Sequence, residues 1–317
     1  MYDVRTATVS DLDDVIELVA RLQSEPAHHI AFHGETLDEI AEELGALAPD
    51  WASGAAVAVD SNGRLRGVLS VEADPEQSRA YLYGPFVDVP AKHPAASQLW
   101  QATADAMLDH VRRLPRMTGV VTLELFGHRE NRLLADFAGR HHAPVHITTR
   151  WFTLTGEPLR SLLTRCADTT VDERVVSLPA DETVRDAVVR LHDRCFPEAP
   201  TSGRQLVSGD RHTVVVLLGE RGLLGYAAGF AQAEEYYVEV VGVAPDARSC
   251  GVGRTLVRRL VGELADRAGA RTRASALIRH GNDASERMFT KLGFELTSEF
   301  VNYQGDLGAA AAHRPAV

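Results

Sequence analysis

A short glycine-containing segment in the second half of the chain carries the residue types best suited to chemistry. Arg248 is followed by two residues and then by Gly251-Val252-Gly253, where an apolar strand-like run gives way to a long amphipathic helix. The first N–H groups of a helix have no intrahelical partner, the helix dipole favours a negative charge, and glycine lets an anion approach the backbone. Residues 248–253 are therefore suited to holding phosphate groups.

Taken alone, a Gly-x-Gly turn more often does no more than begin a helix. Two competing phosphate-binding loops do not fit this sequence. A P-loop needs Gly-Lys followed by Ser or Thr, which is missing, and Leu256 stands where a dinucleotide-binding turn has its third glycine.

A second segment strengthens the phosphate-binding interpretation. Asn282 is followed by Phe289 and then by Leu292-Gly293-Phe294. Together the two segments resemble the signatures of the Gcn5-related N-acetyltransferases (GNAT family), in which Arg or Gln precedes x-x-Gly-x-Gly and an aromatic residue precedes Leu-Gly-Phe. The resemblance implies an α/β fold with a mixed sheet, acetyl-coenzyme A as co-substrate, and no metal.

The resemblance also implies which residues bind the coenzyme. The diphosphate lies on the glycine loop, and the pantetheine arm pairs with the strand edge at 241–243. The residues carried over are Val241, Val243, Arg248, Ser249, Cys250, Gly251, Val252, Gly253, Arg254, Asn282, Ser285 and Phe289.

Tyr237 and Glu239 are the candidate catalytic residues, at the positions where the family places its bases. Because side chains alternate along a strand, Tyr237, Glu239 and Val241 are expected on one face. An alkylamine has a pKa of about 10.4, so its neutral form costs roughly 4 to 5 kcal/mol at pH 7. Glu239 can take that proton as general base. The alternative is a solvated or salt-bridged glutamate without a catalytic role.

The sequence departs from the family at Phe289, where the signature usually has a tyrosine credited with protonating the departing thiolate. A phenyl ring cannot donate a proton. Either Tyr237 or Tyr303 does so instead, or the step needs no dedicated acid, since a thiol with a pKa of about 8.5 already gives a fair leaving group. Ser285, where alanine is usual, is a milder deviation.

The elements that must position these residues occur twice along the chain. Each half reads as a strand, helices, a hairpin and a third strand, followed by alternating helices and strands, which indicates an internal duplication. The predicted division is a degenerate GNAT-like domain at 1–156, a linker at 157–173, a catalytic GNAT domain at 174–305 and a disordered tail at 306–317. This organisation resembles that of mycothiol synthase, in which two such domains share one chain.

The first half lacks the coenzyme loop. In the corresponding stretch, 87–96, the arginine and both glycines are missing, and Pro94 removes a backbone donor where the second half has Gly251. Losing such donors forfeits several kcal/mol of phosphate binding, at roughly 1.5 to 3 kcal/mol per charge-assisted hydrogen bond. The first half is therefore expected to bind no coenzyme, although Lys92 offers partial compensation.

Composition restricts the possible partners. The 317 residues carry a formal net charge of −11, which argues against nucleic acid and favours an amine substrate. No apolar run is long enough for a membrane span, and no signal peptide is visible, so a cytoplasmic protein is expected. The cysteines and the clustered histidines were considered as metal ligands, and neither set has the spacing of a metal site. The residues considered are Cys166, Cys195, Cys250, His28, His29, His33, His141, His142 and His146.

The leading interpretation is an N-acetyltransferase that passes an acetyl or longer acyl group from coenzyme A to a primary amine of a small molecule, acting as a monomer or homodimer. Two alternatives stay open at the sequence level. One is a non-enzymatic acyl-coenzyme A binding module, and the other is a protein lysine or N-terminal acetyltransferase.

Overall fold

The chain forms two compact units. The computed structural model describes residues 2–47, 50–90, 93, 95–168, 174–197, 199, 201–209, 211–220 and 222–307, except for the side chains of 165–168. Unit 1 contains the residues up to Thr149 together with those from Ser298 onward, and unit 2 contains Arg150–Thr297.

The first half of the chain supplies most of unit 1. Its elements are β1 (Asp3–Thr6), α1 (Leu12–Gln23), α2 (Leu37–Ala46), β2 (Ala55–Val59), β3 (Leu65–Asp74), β4 (Arg79–Val87), α3 (Ala96–Val111), β5 (Thr122–His128), α4 (Arg132–Arg140) and β6 (Val145–Thr155).

The second half begins with an additional helix and then repeats the same order. Its elements are α5 (Gly156–Asp168), β7 (Val175–Ser177), α6 (Glu182–Cys195), α7 (Gly203–Ser208), β8 (Thr213–Gly219), β9 (Gly222–Ala231), β10 (Glu235–Val243), α8 (Val252–Ala268), β11 (Arg273–Arg279), α9 (Asp283–Leu292) and β12 (Glu295–Asp306). The predicted α/β fold with two copies of one element order is confirmed.

Each unit is built on a mixed sheet. In unit 1 the strand order is β1-β2-β3-β4-β5 followed by β12, and in unit 2 it is β7-β8-β9-β10-β11 followed by β6. The pairs β4–β5 and β10–β11 are parallel, whereas the hairpin-connected strands pair antiparallel. The Asn62-Gly63 dipeptide between β2 and β3 favours a tight turn, and Gly63 has the positive φ of 77° that such a turn needs.

The last strand of the chain completes unit 1. From Phe300 to Asp306, β12 pairs antiparallel with β5. Phe300 is completely buried, with its ring 5.8 Å from that of Phe126 and 5.6 Å from that of His128. The compact units therefore differ in extent from the predicted division at 156 and 174, because strand pairing recruits the end of the chain into the first unit.

The segment expected to be a linker is largely helical. Leu159 and Leu162 of α5 are buried in the core of unit 2 and Leu163 packs against it, and this spacing gives the helix one apolar face. Residues 169–173 of the expected linker and 308–317 of the expected tail lie outside the described residues. Among the helices that are described, none is long and apolar enough to cross a membrane.

The pairing of β12 with unit 1 can be tested by truncating one ring. Phe300→Ala should lower the free energy of unfolding by about 3 to 5 kcal/mol, because a buried aromatic side chain leaves a cavity. Leu296→Ala, on the same strand but 46% exposed, is the control and should change it by no more than about 0.5 kcal/mol. Denaturant unfolding measures both, and equal effects would contradict the packing of Phe300.

Candidate functional site

The parallel strands β10 and β11 separate part of the way along their length. They pair only where residues 235–237 face residues 273–275. From Val238 to Val243, β10 pairs with β9 on its other side. Among the residues that the structure describes, the edge of β10 that faces β11 therefore has no partner strand beyond Tyr237. This edge includes residues 241–243, for which pairing with pantetheine was expected.

A β-bulge lies where the strands separate. Val238 pairs with Gly229 and Val240 with Ala228, so Glu239 is an extra residue in β10. A bulge of this kind leaves one residue unpaired and redirects the side chains that follow it.

The bulge reverses which side chains of β10 face α8. Tyr236 and Val238 are buried in the same cluster as the apolar side of α8, and beyond the bulge Val241 and Val243 pack against that cluster. The expectation that Val241 shares a face with Glu239 is therefore wrong, because strict alternation does not continue through the bulge.

The glycine loop begins α8 in the way the sequence suggested. Gly251 is the N-cap residue of α8, with a left-handed φ of 84° and no side-chain hydrogen bond to the helix start. Ser249 also has a positive φ, of 63°. Arg248 Nε donates to the carbonyl of Val243 at 3.3 Å, which ties the loop to the end of β10.

Gly253 packs closely against α9. A β-carbon at this position would lie 2.5 Å from Met288 Sδ, on α9. The first turn of α8 is thus held against α9, and a side chain at this position would displace Met288.

A cleft of about 660 Å³ extends over this loop. It brings together most of the coenzyme-binding residues expected from the sequence, and these are Val241, Val243, Arg248, Ser249, Gly251, Val252, Gly253, Arg254, Asn282 and Ser285. The other two lie elsewhere. Cys250 is exposed beside the cleft without lining it, and Phe289 is buried in the core of unit 2.

Sequence reasoning missed a second set of lining residues. They come from the end of α6 and from α9 and its start, and they are Arg194, Cys195, Phe196, Ala284, Arg287, Met288 and Lys291. Arg287 and Lys291 are four residues apart and therefore share one side of a helix, which is a signal the sequence did contain. The contribution of α6 depends on tertiary packing and has no sequence signal.

The cleft is cationic in an acidic protein. Its lining includes five positively charged side chains, Arg194, Arg248, Arg254, Arg287 and Lys291, and no carboxylate among the described residues. The whole chain has a net charge of −11. Cations concentrated in this way, beside free helix N–H groups, favour a ligand with several negative charges.

The second sequence signature is explained by how α9 begins and ends. The Asn282 side chain caps the helix by accepting from the N–H of Ser285 at 3.2 Å, and Gly293 ends it in the left-handed region with a φ of 97°. Phe289 and Phe294 pack edge to face, with ring centroids 5.0 Å apart. Phe289 therefore serves packing in this structure.

Glu239 lies at the bulge with both carboxylate oxygens hydrogen-bonded. Thr201 Oγ donates to Oε1 at 2.9 Å, and His212 Nε2 lies 2.5 Å from Oε2. The His212 side chain is 7% exposed and that of Glu239 is 20% exposed. Neither partner was anticipated, because both lie on loops that precede the strand in the sequence.

Tyr237 lies one residue before the separated part of β10. Burial raises the pKa of its phenol well above the ordinary value, and the carboxylates of Glu239 and Glu235 raise it further. The hydroxyl therefore keeps its proton at neutral pH and can act as a donor. Tyr303, the other candidate donor, belongs to unit 1 and packs in the core of that unit.

Unit 1 contains a related separation of strands, but its own chain fills the opening. The parallel pairing of β4 with β5 ends at Tyr81. Beyond it, Ala31 donates from its N–H to the carbonyl of Phe126 at 2.7 Å, and His128 donates to the carbonyl of His29 at 2.9 Å. The edge of β5 is thus occupied by the connection between α1 and α2.

Aromatic packing fills the same opening between β4 and β5. The ring of Phe32 lies 5.8 Å from that of Tyr81, 5.2 Å from that of Tyr83 and 5.9 Å from that of Phe126. Lys92 and Pro94, on which part of the sequence comparison depended, lie outside the described residues. In the described part of the chain no group of three His, Cys, Asp or Glu is arranged to hold a metal.

Comparison with known proteins agrees with these features. Residues 182–294, from the start of α6 to Phe294, match the acetyltransferase (GNAT) family. No curated protein matches the sequence.

Several solved structures share the fold over nearly the whole chain. A GCN5-related N-acetyltransferase from Sphaerobacter thermophilus is 14% identical with a TM-score of 0.67, covering 100% of this chain and 97% of its own. A tandem GNAT protein from the clavulanic acid biosynthesis pathway is 16% identical with a TM-score of 0.61, covering 96% and 98%. At these identities the likeness establishes the fold.

A third similar structure is part of a larger protein. A GCN5-related glucosamine N-acetyltransferase region of a fungal multi-domain GH3 β-N-acetylglucosaminidase is 15% identical with a TM-score of 0.62, covering 96% of this chain and 38% of that one.

Proposed function

We propose that this chain, a tandem GNAT protein, transfers an acetyl group from coenzyme A to a primary amine of a small molecule. The observation that carries the proposal is the cationic cleft, which joins the open N-terminus of α8 to the unpaired edge of β10. Glu239 lies on β10 two residues beyond the last residue that pairs with β11.

Coenzyme A fits the chemistry of this cleft as a substrate. The backbone N–H groups at the start of α8, together with Arg248 and Arg254, are suited to a diphosphate. The free edge of β10 at 241–243 offers main-chain donors and acceptors to an extended amide-containing arm. When bound, acetyl-coenzyme A supplies a thioester carbonyl as the electrophile.

The residues at the bulge are suited to the proton transfers of amide formation. Glu239 supplies a carboxylate to the group of side chains that removes the proton from the attacking amine, which must become neutral to react. Tyr237 carries its phenolic proton at neutral pH, as an ordinary phenol with a pKa of about 10 does, and burial and nearby carboxylates raise its pKa further. Its hydroxyl is therefore available to donate a hydrogen bond to the departing sulfur. In this proposal Tyr237 serves as the proton donor to the departing thiolate. Phe289 cannot do so, because a phenyl ring has no proton to donate.

One observation favours a second candidate, a coenzyme A binding module without turnover. Phe289 stands where the family usually has its proton donor, and it is buried against Phe294. Thiol release in the presence of amines separates the two candidates, since a binding module releases none.

The glycine loop can be tested by a side chain at Gly251. Gly251→Val should weaken acetyl-coenzyme A binding at least about tenfold, because valine resists a positive φ and the loop must deform; tenfold corresponds to about 1.4 kcal/mol. Gly119→Val is the matched control, since Gly119 has the same φ of 84° in unit 1. Calorimetric titration measures both, and equal affinities for the two variants would overturn the loop assignment.

The bulge residue can be tested by a substitution that keeps its shape. Glu239→Gln should lower turnover about a hundredfold or more while leaving acetyl-coenzyme A affinity nearly unchanged, because its carboxylate takes part in proton removal and not in coenzyme binding. Turnover is followed as thiol release with a panel of primary amines. The control is Glu234→Gln, at a half-buried position just before β10, which should change neither quantity. A parallel loss of affinity in Glu239→Gln would make Glu239 a structural residue.

A further inference from the structure

The hydrogen bonds around Glu239 determine which nitrogen of His212 carries a proton. An ionised carboxylate can only accept hydrogen bonds, so the His212 Nε2 that lies 2.5 Å from Glu239 Oε2 must carry hydrogen. In a neutral imidazole this leaves the lone pair on Nδ1. Within the described residues, Nδ1 of His212 has no hydrogen-bond partner. His212 therefore presents an unused basic nitrogen.

The ring of His212 is held in place. Its side chain is 7% exposed, and its ring packs edge to face on Phe230 with centroids 5.7 Å apart. Phe230 in turn lies 5.3 Å from the ring of Tyr237. His212, Phe230, Tyr237 and Glu239 thus form one cluster at the point where β10 leaves β11.

A second histidine in the same unit shows the contrasting arrangement. His192 Nε2 donates to the carbonyl of Thr201 at 2.9 Å, so its Nδ1 accepts from the Tyr226 hydroxyl at 2.7 Å. His192 is 1% exposed. Both of its nitrogens are occupied, and it fixes the loop from which Thr201 reaches Glu239.

Both carboxylate oxygens of Glu239 are also occupied by hydrogen bonds. Thr201 donates to one oxygen and His212 to the other, so each oxygen already accepts a hydrogen bond. A carboxylate that receives an imidazole N–H is the arrangement that orients a histidine base in nucleophilic catalysis.

We propose that His212 Nδ1 is the atom that accepts the amine proton, and that Glu239 orients the imidazole and stabilises its charged form. The inference rests on the proposed acetyl transfer. As the amine nitrogen forms its bond to the thioester carbon, its proton passes to Nδ1. The C–S bond then breaks with its electron pair on sulfur. In one route the imidazolium gives this proton to the thiolate, and His212 is neutral again. In the other route Tyr237 protonates the thiolate, and the imidazolium then passes its proton to the tyrosinate, so both side chains return to their starting states.

The tautomer can be tested without any substrate. Long-range ¹H–¹⁵N spectra of the full-length protein, with the His212 signals identified by their loss in His212→Gln, should show hydrogen on Nε2 and none on Nδ1. Hydrogen on Nδ1 of neutral His212 would overturn the proposal. Because no acceptor is needed, this result stands even where no amine in a panel is acetylated, which would instead count against the proposed function.

The proton transfer is tested by replacing the ring. His212→Gln keeps a donor for Glu239 but has no basic nitrogen, and it should lose about a hundredfold or more in thiol release, with acetyl-coenzyme A affinity unchanged. His212→Ala should lose as much and regain at least about tenfold when free imidazole is added. Glu239→Gln, which keeps the histidine, should not respond to imidazole.

Two results would contradict the role of His212. Wild-type turnover in His212→Gln would show that holding Glu239 is all that the position requires. Failure of imidazole to restore any activity to a folded His212→Ala, with folding judged by its acetyl-coenzyme A affinity, would show that the ring does not accept the proton.

Discussion

One extra residue in one strand sets the geometry on which the whole site depends. Glu239 is accommodated in β10 as a bulge against β9, close to where β10 stops pairing with β11. Because the bulge reverses the alternation of side chains, Val241 and Val243 face the glycine loop and line the cleft, while Glu239 lies among Thr201 and His212. In the proposed function, the residues for coenzyme binding and those for proton transfer thus project from different sides of the same short strand.

The duplication gives an internal comparison. Both units contain a parallel strand pair that separates after three residue pairs. In unit 2 the opening leads to a cationic cleft, whereas in unit 1 residues 29–31 bind the edge of β5 and Phe32 packs between β4 and β5. The opening in unit 1 is thus filled by the chain itself. This supports the expectation that the first half binds no coenzyme.

The sequence predicted the features that depend on local rules. The hairpin at Gly63, the helix start at Gly251 and the two ends of α9 follow from backbone freedom and capping, which neighbouring residues decide. The apolar spacing of Leu159, Leu162 and Leu163 is likewise a local pattern, and it indicates a helix within the segment that was expected to be a linker.

The features that the sequence could not supply depend on contacts between distant segments. Nothing in the alternating residues of β10 marks Glu239 as a bulge, since the bulge exists only in the register with β9. His212 is 27 residues from Glu239 in sequence and Thr201 is 38 residues away, and no spacing rule connects them. The recruitment of β12 into unit 1 likewise depends on its pairing with β5.

The central claim is that the chain holds one working coenzyme site, in unit 2, and that unit 1 has filled its own opening. Native mass spectrometry of the full-length protein with increasing acetyl-coenzyme A tests this claim most directly, because it counts bound molecules per chain. The account predicts one specific coenzyme per chain and none in a variant that carries Arg248→Ala together with Gly251→Val. A second specific coenzyme, or one that persists in that variant, would contradict it.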